Sequence, residues 1–253
     1  MTTASETVSR WSRRFVTASL AWFVCWQVAA VAAAGRPVAV TLGLYGFVLH
    51  AIFGKGYALV PTYFDRELAV PRAPAVHLPV ATLGTAALAM ERAGVVSGPW
   101  GAAGEVLWGL GCGIFVVVIA WSVRDNVSGR ETGTSRANAD RGTVDRIANG
   151  FVPVVLGYLL VAAVLPIGEE VGVVPASLPA AGPPLSHLFA AGTAALLVFA
   201  LGFRLLPRFL VSSFGFGRWF RLGAGLEAVA LVGFAVAYAD TFVRSERRRP
   251  CSA

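Results

Sequence analysis

Hydrophobic residues run along this chain in blocks of about 20, separated by short stretches that gather arginine, proline and glycine. A block of that length crosses about 30 Å of hydrocarbon as a helix rising about 1.5 Å per residue. The pattern predicts seven spans, at 15–34, 39–63, 75–94, 102–123, 147–167, 185–206 and 219–243. Between the fourth and fifth lies a polar stretch, 124–146, rich in Gly, Ser, Thr and charge, which reads as a cytoplasmic linker. It divides the chain into a transmembrane block of four helices, 1–123, and one of three, 147–253. The expected fold class is all-α, a polytopic transmembrane helical bundle.

Composition agrees with that reading. Hydrophobic residues make up 56% of the chain and charged residues 14%, where a soluble domain carries about 25% charge. The net charge of +7 does not point to nucleic acid, because the arginines fall between apolar blocks and form no stripe interleaved with aromatics. The expected partners are the lipid bilayer and other membrane subunits. Arginine placement predicts a multi-pass protein of the cell membrane with a cytoplasmic N-terminus. On that side fall Arg10, Arg13, Arg14, Arg66, Arg72, Arg204, Arg208, Arg218, Arg221 and the linker arginines, against Arg36 and Arg92 outside. The arginine-rich C-terminal segment VRSERRRP falls outside and runs against the rule. The first span reads as a retained helix, with no small-residue cleavage signature after it. Cys25, Cys112 and Cys251 have no CxxC or Cys/His spacing, which argues against a disulfide framework and a zinc site.

An internal echo crosses the linker. Gly56-Tyr57-Ala58-Leu59-Val60-Pro61 aligns with Gly202-Phe203-Arg204-Leu205-Leu206-Pro207. The second span then matches the sixth, the first the fifth and the third the seventh. Repeats shifted by an even number of spans run in the same direction and relate by an axis along the membrane normal.

Ionisable groups at membrane depth are costly and usually face a bundle interior with a partner or a task. Five residues stand out on that ground: His50, His77, His187, Lys55 and Glu227. His50 shares a helical face with Gly43, Gly46 and Gly54, a groove open either to a flat macrocycle or to a closely packed helix. His187 has a narrower stripe of Ala191, Ala194, Val198 and Gly202. Counted from the span middles, His50 is central, His187 lies toward the outer side and His77 toward the inner, too spread for one metal or haem iron. Lys55, the single lysine, and Glu227 fall at one depth and are expected either to pair or, for Lys55, to snorkel to the inner headgroups. Glu91, Arg92 and Glu105 read as interfacial. No nucleophile elbow, Walker loop or HExxH occurs, and no catalytic residue is assigned.

Residues 54–84 resemble a pattern in haem-copper-oxidase-like membrane modules and the NnrS family. The shared elements are Gly56 through Pro61 and Tyr63, then Arg66, Leu68, Pro71 and Arg72. Residues 187–209 resemble the same helix type through His187, Gly202, Phe203 and Pro207. The resemblance implies a membrane protein of respiratory or nitric oxide metabolism that binds haem or a metal through His50 or His187. Thr41 stands where the second span would need its own counterpart of His187, and three histidines are too few for a haem-copper centre. Turnover by this chain alone is therefore not expected. The competing readings are a small transporter or permease component with an intramembrane Lys55–Glu227 site, and a structural or assembly subunit of a membrane complex.

Overall fold

The computed structural model describes residues 3–127, 142–174 and 181–209, with side chains for 3–127, 148–174 and 181–202. The seventh predicted span and Glu227 lie outside the described residues. Among those described, six helices are long and apolar enough to cross a membrane, and they form a helical bundle. This is the architecture of an integral membrane protein.

Helix α1 covers Ala4–Val31, so the polar N-terminal stretch is part of the first helix rather than a lead-in. It starts on a capping box: Thr3 Oγ1 accepts from the Glu6 amide, and the Glu6 carboxylate accepts from the Thr3 amide. Helix α2 covers Arg36–Tyr63, α3 Ala73–Arg92 and α4 Trp100–Asn126, whose last residues tighten into a 3-10 turn. Helix α5 covers Gly142–Glu170, starting inside the stretch read as linker. Helix α6 runs through Gly182–His187, Leu188–Ala195 and Leu196–Phe209.

Both α2 and α6 are interrupted by π-helix, at Thr41–Leu49 and Leu188–Ala195. Such i→i+5 winding is rare and is concentrated at functional sites. One register shift carries Gly56 onto Gly202, Arg36 onto Gly182, His50 onto Leu196 and Tyr63 onto Phe209. The same shift superposes the helix ends and the π-to-α boundaries. It also places Pro37 and Pro183 in the first turn of each helix, and Gly46 on Gly192. At both glycines an aromatic ring of the preceding helix fills the space of a missing Cβ, Trp22 at 2.7 Å and Tyr158 at 2.7 Å. The sequence echo is therefore matched by two rare helical segments in the same register. The two π segments meet through Tyr45 and Phe189, whose rings lie 4.9 Å apart.

Small residues set the closest contacts, as expected where lipid supplies no hydrophobic drive between helices. A Cβ on Gly84 of α3 would stand 2.6 Å from the backbone nitrogen of Trp108 on α4, and one on Gly104 would stand 3.0 Å from that of Leu88. The end of α2 is held by two buried asparagines: Asn149 Nδ2 donates to the Tyr63 carbonyl and Asn126 Nδ2 to the Phe64 carbonyl, both at 2.8 Å. The carbonyls that a helix end leaves unpaired are thereby satisfied.

Candidate functional site: a buried histidine pair

The core is aromatic. Phe15, Tyr45, Phe53, Tyr57, Trp108, Phe115 and Phe189 pack into one buried cluster, and His50 and His77 lie inside it with 0% of their surface exposed. Phe15 and Phe53 pack beside both imidazoles: the ring centre of Phe15 is 6.1 Å from that of His50 and 5.0 Å from that of His77, and the ring centre of Phe53 is 6.4 Å and 4.6 Å from them. Counting from span middles places these histidines far apart, whereas the structure brings them into one cluster. The cause is axial stagger. Helix α2 continues to Tyr63, and the connection turns back with Phe64 and Leu68 buried, so α3 starts beside α2. His77 then lies level with Phe53 and Tyr57.

The two rings are held differently. His50 Nδ1–H donates to the Tyr45 carbonyl at 2.8 Å, a bond to the residue five back that the π winding makes available. Its Nε2 is left as an acceptor, with the Thr82 hydroxyl at 3.4 Å. His77 Nδ1 is bonded to the Tyr57 hydroxyl at 3.0 Å. Its Nε2 is buried and has no hydrogen-bond partner among the described residues; it lies beside Gly111, where a Cβ would come within 3.3 Å of it. Trp108 Nε1 is likewise buried with no partner among the described residues. Leaving a buried polar group unsatisfied costs about 1–3 kcal/mol, so such groups call for an explanation.

The glycine groove beside His50 is filled. A Cβ on Gly43 would meet Trp26 at 3.1 Å, one on Gly46 Trp22 at 2.7 Å, and one on Gly54 Phe15 at 2.6 Å. These aromatics of α1 occupy the face where a macrocycle would lie, and both His50 nitrogens are engaged. His187 stands apart from the pair, exposed at the start of α6, with Nδ1–H donating to the Pro183 carbonyl at 2.6 Å. Among the described residues no group of three His, Cys, Asp or Glu side chains is placed to hold a metal ion.

Two charged regions flank the core. At one end Arg92 donates to Thr41 and to Glu105, the latter at 3.0 Å, and its guanidinium lies 5.3 Å from the Tyr45 ring centre. Arg92 and Glu105 expose 20% and 22% of their side chains. At the other end Lys55 is exposed and borders a cavity of about 380 Å³ that also reaches Tyr57. The expected pairing of Lys55 with Glu227 falls on a residue outside those described. Sequence reasoning missed Tyr57 and the buried asparagines. The spacing of Phe15, Trp22 and Trp26 on one face of α1 was a readable sign that this helix packs tightly on its neighbours.

Comparison with protein-family models, with characterised proteins and with solved structures finds no match. The resemblance to NnrS and haem-copper-oxidase-like modules rests on the motif residues alone.

Proposed function

We propose that this integral membrane protein lies in the cell membrane, N-terminus on the cytoplasmic side, and passes protons through Tyr57 and the His77–His50 pair as a small transporter component. The carrying observation is His77, wholly buried, with Nδ1 on the Tyr57 hydroxyl and Nε2 without a partner among the described residues. An ionisable residue in the interior of a membrane bundle is a functional site by default, and relays of such residues serve proton movement. In the proposed step the phenol gives its O–H proton to Nδ1 and takes one from water in the cavity it borders. The imidazolium then gives its Nε2 proton, through an intervening water, to the acceptor Nε2 of His50, which passes it on to water beyond, and a ring flip returns His77 to its starting tautomer. The filled groove beside His50 supports this reading over haem ligation at that residue.

Purified protein in liposomes with an internal pH-sensitive dye tests it. An imposed pH difference should decay through the native protein, and Tyr57→Phe and His77→Leu should each slow the decay about tenfold or more, the scale of losing a positioned proton-transfer group. Equal rates in native and variant proteins would remove the proposal. A Soret band in the purified protein, lost on replacing His50 or His187, would restore the haem reading in its place.

Orientation has its own test. With native cysteines replaced, single cysteines placed in 124–146 should react with an impermeant thiol reagent only after the cells are opened. Reaction in intact cells would reverse the topology.

A further inference from the structure

The cavity beside Lys55 has a composition that proton transfer does not require. It is formed by one face of the first turns of α1, the last turns of α2 and the connection that follows. Among the described residues, Arg13, Lys55 and Arg66 line it with one carboxylate, that of Glu67, and Ser9 and Ser12 are on the same wall. Arg13 is turned toward Ser9 by a bond of 3.2 Å from Nη1 to Oγ. The Lys55 ammonium has no hydrogen-bond or ion-pair partner among the described residues. Like charges gathered in a concave site raise the local potential and favour an anion. Guanidinium and ammonium donors with hydroxyls beside them match the acceptor oxygens of a phosphate group.

We infer that this cavity is a binding site for a phosphate-bearing anion, held by Lys55 and Arg13. Two sources share that chemistry, the headgroup of an anionic lipid and a free phosphate. Basic pockets between spans on the cytoplasmic side are suited to the first. Lys55 is the telling residue. It is the chain's single lysine, set between two glycines that are tightly packed, Gly54 on Phe15 and Gly56 on Phe115. The backbone beneath it is fixed while its side chain is free to meet a ligand. Anion binding here holds whether or not the buried histidines move protons.

The test uses the full chain in an uncharged detergent, titrated calorimetrically with inorganic phosphate and, separately, with dioctanoyl phosphatidylglycerol; dioctanoylglycerol, which lacks the phosphate, is the control. At least one phosphate compound should bind and the control should not. Phosphatidylglycerol alone would assign a lipid site, and inorganic phosphate a soluble-anion site. Lys55→Met and Arg13→Gln should each weaken binding about tenfold or more, as expected for a lost charge-assisted hydrogen bond. Lys55→Arg should retain it. Arg10→Gln, at a separate cavity with Arg72, should leave it unchanged. The ligand-free melting temperature shows that each variant is folded. No binding of either compound, equal binding of the control, or undiminished binding by folded Lys55→Met would each overturn the inference.

Discussion

Gly84→Val should be the most damaging single substitution in the described bundle, costing about 3 kcal/mol or more of stability. Overpacking typically costs about 1–3 kcal/mol because neighbouring side chains can move aside. At Gly84 the obstruction is the backbone of Trp108, 2.6 Å from the position of the new Cβ, with the Gly104 carbonyl oxygen at 3.1 Å. The only relief is to part α3 from α4. That parting would also disturb Trp108, whose ring packs beside His50. Thermal unfolding in detergent should show a loss of folded protein. Gly113→Ala on α4 supplies the control, since nothing stands within 4 Å of its Cβ position. It should be neutral or stabilise by about 0.5–1 kcal/mol through a better helix propensity. A Gly84→Val protein as stable as native would mean that α3 and α4 do not approach as described.

Breaking the Arg92 hub should have the second-largest effect. Arg92 joins the start of α2 through Thr41 to the start of α4 through Glu105, while lying near the Tyr45 ring. An exposed ion pair is worth about 1 kcal/mol or less, but this one is only about a fifth exposed and carries a second hydrogen bond. Arg92→Met should cost about 1–3 kcal/mol, chiefly by stranding the half-buried Glu105 carboxylate. Arg92→Lys should rescue part of that, because an ammonium keeps the charge but not the two-armed geometry. The double substitution Arg92→Met with Glu105→Gln should destabilise less than the two single changes added together. Strict additivity in the melting curves would deny that the two side chains meet.

Much of the bundle is legible in the sequence because span length is a one-dimensional property. Apolar runs long enough to cross a bilayer stand out wherever they occur. The observed helices α1 to α6 contain the first six runs within a few residues. The π segments are not legible in the same way. Thr41–Leu49 is apolar nearly throughout, so its pattern cannot distinguish an i→i+4 from an i→i+5 winding. The site is less legible still. Whether His77 meets Tyr57 depends on the rotation of α3 and its axial offset from α2, and neither is a property of one helix. Asn126 and Asn149 illustrate a further limit. They border a polar stretch and look solvated, yet each is buried against a carbonyl beyond the end of α2 or at its last residue.

The matched π-interrupted helices mean that the chain carries its own control experiment. The second copy has leucine at the positions of both unusual residues of the first: Leu196 stands for His50 and Leu201 for Lys55. Leu196 is buried in its place. Leucine is thus already accommodated in this helical frame at those two registers, with the same π-to-α junction and the same glycine against an aromatic. His50→Leu and Lys55→Leu turn the first copy toward a state that the second already occupies. A function lost in those variants, with melting temperature kept, belongs to the imidazole or the ammonium and not to the scaffold that holds it.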